Sequence, residues 1–204
     1  INLDEHNSGE PSFSVRPGIF TAGFINFLLL EEIMANNYTL DNTIPLAPLK
    51  IAALDSCRSL AESVDQYIVN FRRNDMERLK DKWIGPDYRG YNRDSYLLDL
   101  KCSRFGSGEA KCVLNESVRG TDIFAMVDVT NYSMTYSVCG HTNHMSPDDH
   151  YQDLKRLICA ASTAHRINVI MPFLYESRQH KRTHRESLDC ASALEELVSM
   201  GVSN

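Results

Sequence analysis

The sequence predicts an α/β fold with a mainly parallel sheet, on three observations. Two short apolar runs, Ile123 to Val129 and Ile167 to Phe173, lack strict alternation, as strands covered on both faces do. An amphipathic segment lies between them, with Tyr151, Leu154, Leu157, Ile158 and Ala161 at helical spacing. A strand, a helix and a strand in that order make a βαβ unit, whose two strands run parallel.

The 204 residues leave room for one domain of ordinary size plus extensions. The formal net charge of -6 argues against a domain built to grip nucleic acid backbones. Six cysteines without a C-x-x-C pair read as buried or free thiols in a reducing compartment, not as a disulfide scaffold.

The apolar run Ile19 to Leu30 is too short for a membrane span, which takes about 20 residues. Acidic residues follow it and no small-residue cleavage site does, so a signal peptide fits poorly. Residues 1–40 read as an extension, or as translated upstream sequence before a start at Met34; Ile1 in place of methionine suggests that the ends are not natural.

From Asp55 the pattern becomes legible. Cys57, Leu60, Ala61, Val64, Ile68 and Phe71 recur at helical spacing, with Asp55 or Ser56 as the cap. The charged stretch Arg72 to Asp94, punctuated by Gly85-Pro86 and Gly90, reads as a loop. Tyr96, Leu98, Leu100 and Cys102 alternate as in a strand with one buried face. The turn Phe105-Gly106-Ser107-Gly108-Glu109 leads to a short strand at Lys111 to Leu114, giving a hairpin.

Ser146-Pro147-Asp148-Asp149 has a helix-start signature: a capping serine, a proline suited to the first turn and two acids at the positive end of the dipole. A last helix carries Leu188, Ala191, Leu194 and Val198 on one face, with Gly201 closing it. A further strand is due where the chain stops, which reads as a cut inside a larger α/β protein.

Three segments are candidates for chemistry. Tyr175 to Glu186 follows the second parallel strand, where open sheets collect ligands. Its four Arg and Lys side chains and two histidines suit a polyphosphate, and equally a solvated basic loop. The turn Arg104 to Glu109 offers an aromatic face for a base, although glycine turns between strands are usually only turns. Cys139 to His144, with His150, invites zinc, but the spacing matches no paired pattern and an ordered polar loop is the default. There is no Walker A loop, no G-x-G-x-x-G and no G-x-S-x-G.

Taken in order, these segments resemble ribose-phosphate pyrophosphokinases (PRPP synthetases). The family's R-F-x-[DN]-G-E turn is similar to Arg104-Phe105-Gly106-Ser107-Gly108-Glu109, and its V-R-G-x-D-[IV]-[FY] strand entry to Val118 to Phe124. Met171-Pro172-Phe173 with Arg178-Gln179-His180-Lys181, then Arg185-Glu186, match the later strand, loop and helix entry. The resemblance runs from about Ile44 to Asn204 and is nearest to long, divergent bacterial members.

It implies a phosphoribosyltransferase-like three-layer α/β/α domain over residues 41–204, preceded by an extra N-terminal segment. It further implies diphosphoryl transfer from ATP, with Mg2+, to ribose 5-phosphate in a cytoplasmic homo-oligomer, without nucleic acid or membrane partners. By position, Phe105, Ser107, Gly108 and Glu109 contact ATP, and Arg178 and Gln179 meet it from the opposite loop. In the family the turn comes from a neighbouring subunit. The family's metal-binding histidine motif and catalytic loops fall beyond Asn204, so no catalytic or metal residue is assigned, and the fragment is expected to be inactive alone.

Three departures stand out. Ser107 replaces an acid or amide, His180 stands where aspartate is common, and Thr130 to Pro147 is longer than usual. The alternative reading is a non-catalytic regulatory homologue that assembles with active subunits.

Overall fold

The computed structural model describes residues 46–78 and 90–204. Expectations for residues 1–40 and for the middle of the Arg72 to Asp94 stretch therefore lie outside the described residues. In chain order the elements are β1 (Leu49–Ala53), a 3-10 turn (Asp55–Cys57), α1 (Arg58–Arg78), β2 (Leu100–Arg104), β3 (Ala110–Leu114) and β4 (Asp122–Met126). They continue with β5 (Thr135–Val138), β6 (His141–His144), α2 (Pro147–Ala160), β7 (Arg166–Ile170), a second 3-10 turn (Ser177–Gln179) and α3 (Asp189–Ser199).

The central sheet is parallel in the order β1-β4-β7, with Ile51 opposite Phe124 and Phe124 opposite Asn168. The two apolar runs are neighbours in it, as a βαβ unit requires. β1 is the strand that sequence patterning misses. Its run is broken by Lys50, which is buried and paired with Glu116.

Single segments lengthen the ladder at both edges. Ile51 N–H donates to Tyr96 O at 2.8 Å and Leu98 N–H to Ile51 O at 2.8 Å. On the far side Ser203 N–H donates to Ile167 O and Val169 N–H to Asn204 O, both at 2.8 Å. The expected strand Tyr96 to Cys102 is thus divided. Its first part bridges β1, and its last part belongs to β2, which pairs antiparallel with β3.

Alternation along the buried strands sorts the core into two faces. Ile51, Ala53 and Met126 pack under α1 with Cys57, Ala61, Val69 and Tyr96. Ala52, Ile123, Ala125 and Val127 face the opposite way, onto Tyr151, Leu154, Leu157 and Ile158 of α2 and Ala193 and Leu197 of α3. Helices on both faces make the three-layer α/β/α sandwich.

Several local readings need correcting. α1 continues through Arg72 to Arg78, which were read as loop. Tertiary partners hold that end: the Arg72 guanidinium lies 4.3 Å from the Tyr91 ring and 4.7 Å from the Tyr96 ring, and Arg73 pairs with Asp94 at 2.6 Å. Neither Asp55 nor Ser56 caps α1 directly, because the 3-10 turn intervenes with Leu54 as its cap. The buried stripe of α3 is Cys190, Ala193 and Leu197, one position off the expected one, leaving Leu194 43% and Val198 68% exposed.

The start of α2 agrees in detail. Ser146 Oγ accepts from Asp149 N–H at 3.1 Å while Asp149 Oδ2 accepts from Ser146 N–H at 2.9 Å. This is a capping box with aspartate at its third position. α3 ends at Gly201, whose φ of 94 and N–H bond to Val198 O close the helix as its sequence implied.

Candidate functional site

The turn Arg104 to Glu109 joins β2 to β3. It is preformed: Phe105 N–H donates to Glu109 O at 2.7 Å and Gly108 N–H to Phe105 O at 2.9 Å. Gly108 sits at φ 90, a conformation that side chains resist. The Phe105 ring is 50% exposed, with Lys111 Nζ 5.8 Å from its centroid. The Ser107 hydroxyl is turned back onto Glu109, donating to Oε2 at 2.9 Å.

Arg104 points the other way. It pairs with Asp153 at 2.9 Å and Asp149 at 3.8 Å on α2 and lies 4.8 Å from the Tyr136 ring centroid. Its charge is therefore spent on fastening the ribbon to α2.

The segment Cys139 to His144, read as an ordered polar loop, is the turn and second strand of the hairpin β5–β6. Cys139 and Gly140 have φ values of 50 and 82, as a type I′ hairpin turn demands. Its tip rests on the β2–β3 turn. Cys139 N–H donates to Gly106 O at 3.2 Å, and a Cβ on Gly108 would lie 3.2 Å from Val138. Exposed polar residues on β6 hid this hairpin from patterning, although the Cys-Gly step was the available signal.

Two of the three histidines suspected of holding zinc each have a ring nitrogen on a backbone carbonyl. His144 Nδ1 meets Tyr132 O at 2.8 Å and its ring stacks on Tyr132, while His150 Nε2 meets Asn131 O at 2.9 Å. Among the described residues no group of three or more His, Cys, Asp or Glu side chains is arranged to hold a metal ion. The Mg2+ that the resemblance implies therefore has no ligand cluster among the described residues.

The second candidate segment follows β7. Tyr175 anchors its start, stacking on Tyr151 at 4.2 Å and donating its hydroxyl to Asp148 at 2.7 Å. Burial first, and then that acceptor, push the Tyr175 hydroxyl above its usual pKa. Glu176 adopts a left-handed φ of 54 and feeds the 3-10 turn that carries Arg178 and Gln179. Gln179 Nε2 donates to Ser187 O at 2.7 Å, closing the loop on itself.

Arg178, Lys181, Arg182 and Arg185 are exposed and have no ion-pair partner among the described residues. No hydrogen bond or ion pair among the described residues joins this loop to the Phe105 turn.

A cleft of about 360 Å³ was not foreseen. It is lined by Ser56, Cys102, Arg104, Tyr136, His150 and Asp153, between the end of β1, the β2–β3 ribbon and the β5–β6 hairpin. These residues come from four separate stretches of sequence, so no local motif announces the cleft. No helix among the described residues is long and apolar enough to cross a membrane.

The model of the N-terminal domain of ribose phosphate pyrophosphokinase matches residues 49–201. The chain belongs to this family. Among solved structures, it is similar to the phosphoribosylpyrophosphate synthetase of Mycobacterium smegmatis, with a TM-score of 0.51 at 20% identity. That likeness covers 76% of this chain and 40% of the mycobacterial one, and at this identity it speaks for the fold. No curated protein matches. The match takes in β1 through α3, so both the Phe105 turn and the Arg178 loop lie within the ribose phosphate pyrophosphokinase domain.

Proposed function

We propose that the chain supplies part of the ATP site of a ribose-phosphate diphosphokinase, which converts ATP and ribose 5-phosphate to PRPP and AMP. The observation that carries this reading is the exposed cationic loop Arg178 to Arg185, without ion-pair partners among the described residues, after the carboxyl end of β7. Guanidinium groups left uncompensated on an acidic chain suit the phosphates of a nucleotide. Phe105 offers the adenine a ring face, and Glu109 and Gly108 offer polar contacts to ribose or amine.

As the family resemblance implies, a complete site in this reading takes the turn of one copy and the loop of another. This favours a homo-oligomer. Residues 41–204 form the N-terminal domain in this reading and residues 1–40 an extension. In this reading the Mg2+ ligands and catalytic groups belong to the part of the relatives that this chain does not span, and the protein is cytoplasmic. The inward-turned Ser107 hydroxyl favours a second reading, a regulatory homologue that keeps the fold and assembles with active subunits.

Titration of the chain with Mg-ATP tests the site. Arg178→Ala and Glu109→Ala are each expected to weaken binding roughly tenfold, since a charge-assisted hydrogen bond contributes about 1.5–3 kcal/mol. Unchanged affinity in both variants would sink the assignment.

A further inference from the structure

In the β2–β3 ribbon Cys102 stands directly opposite Cys112. The ladder bonds Phe105 N–H to Glu109 O and Asn115 N–H to Asp99 O fix which pairs exchange hydrogen bonds. Those pairs alternate along the ribbon, and Cys102 with Cys112 falls between them, in a non-hydrogen-bonded position. Opposed Cα atoms there are about 4.5 Å apart and the side chains lean together. A disulfide spans Cα separations of about 4.4–6.8 Å, so the backbone is already within bridging range.

Both side chains are half-buried and pack from the same face of the ribbon against the core under α2. Cys102 also lines the cleft of about 360 Å³, which gives a small reagent a route to the pair. The two thiols sense each other. Hydrogen bonding to Cys112, then burial, hold Cys102 above the usual thiol pKa, and the same bond draws Cys112 below it. A lowered pKa raises the fraction of reactive thiolate.

We propose that Cys102 and Cys112 are a modification site, forming a reversible intrachain disulfide with a small disulfide such as glutathione disulfide as the oxidant. The Cys112 thiolate attacks one sulfur of glutathione disulfide, whose S–S bond breaks and releases a glutathione thiolate. Cys102, its proton lost to solvent, then attacks Cys112 Sγ and expels the second glutathione thiolate. Two electrons pass from the cysteine pair to glutathione disulfide, and the two thiol protons end on the released glutathiones. The product closes a covalent loop around the whole Arg104 to Glu109 turn. This proposal does not depend on the ATP reading.

The test uses the full chain carrying Cys139→Ser and Cys159→Ser, which removes the two exposed thiols. After incubation with glutathione disulfide, alkylation and non-reducing digestion, mass spectrometry should find the Cys102–Cys112 linked peptide. It should exceed glutathione adducts at either residue by more than tenfold and vanish with dithiothreitol. A Cys102→Ser chain should instead trap glutathione on Cys112. Lasting adducts on both residues without a link, or no reaction at either, would overturn the proposal. So would equal linking in the denatured chain, because the preference would then owe nothing to strand register.

Discussion

At the scale of single residues, two glycines separate backbone strain from crowding. Gly140 has a positive φ of 82 and open space around it, so Gly140→Ala meets only the backbone penalty, about 1–2 kcal/mol. Gly108 carries the same kind of φ, and a Cβ there would also lie 3.2 Å from a Val138 methyl, so Gly108→Ala strains the turn and presses on the hairpin side chain. Urea denaturation should rank Gly108→Ala as the more damaging of the two. The Gly108 conformation was legible in part, since a glycine-flanked turn between strands announces a left-handed position. The contact with Val138 was not, because it joins residues far apart in sequence.

At the scale of elements, the capping box of α2 ties sequence to structure most directly. Ser146→Ala removes the acceptor for Asp149 N–H and should cost about 1 kcal/mol, read as a lowered midpoint of thermal or urea unfolding. This helix was legible because its signals are local: serine, proline and two acids precede a clean apolar stripe. α1 and α3 were harder. The last turns of α1 are polar and rest on Tyr91, Tyr96 and Asp94, partners that periodicity cannot supply. In α3 the exposed Leu194 and Val198 imitate a core stripe, while the smaller Cys190 and Ala193 are the residues that are buried. β1 was missed because a buried lysine, compensated by Glu116, interrupts its apolar run.

At the scale of the molecule, the parallel sheet is the frame of the fold, and its centre is β4. Ile123 there is wholly buried between β1, β7 and α2, so Ile123→Ala should cost about 2–5 kcal/mol as a cavity. Because both cores share β4, circular dichroism and tyrosine fluorescence should report the loss as one coincident unfolding transition. The βαβ order made this sheet readable in advance, whereas the seating of the β5–β6 hairpin on the Phe105 turn arises only in three dimensions. That seating has a measurable consequence. The Cys139 amide lies at the hairpin tip, outside the strand ladder, and its acceptor is Gly106 O in the neighbouring turn. Its hydrogen-exchange rate is therefore a clock for the parting of hairpin and turn: slow while the two move as one body, and fast whenever a ligand or a mutation lets them separate.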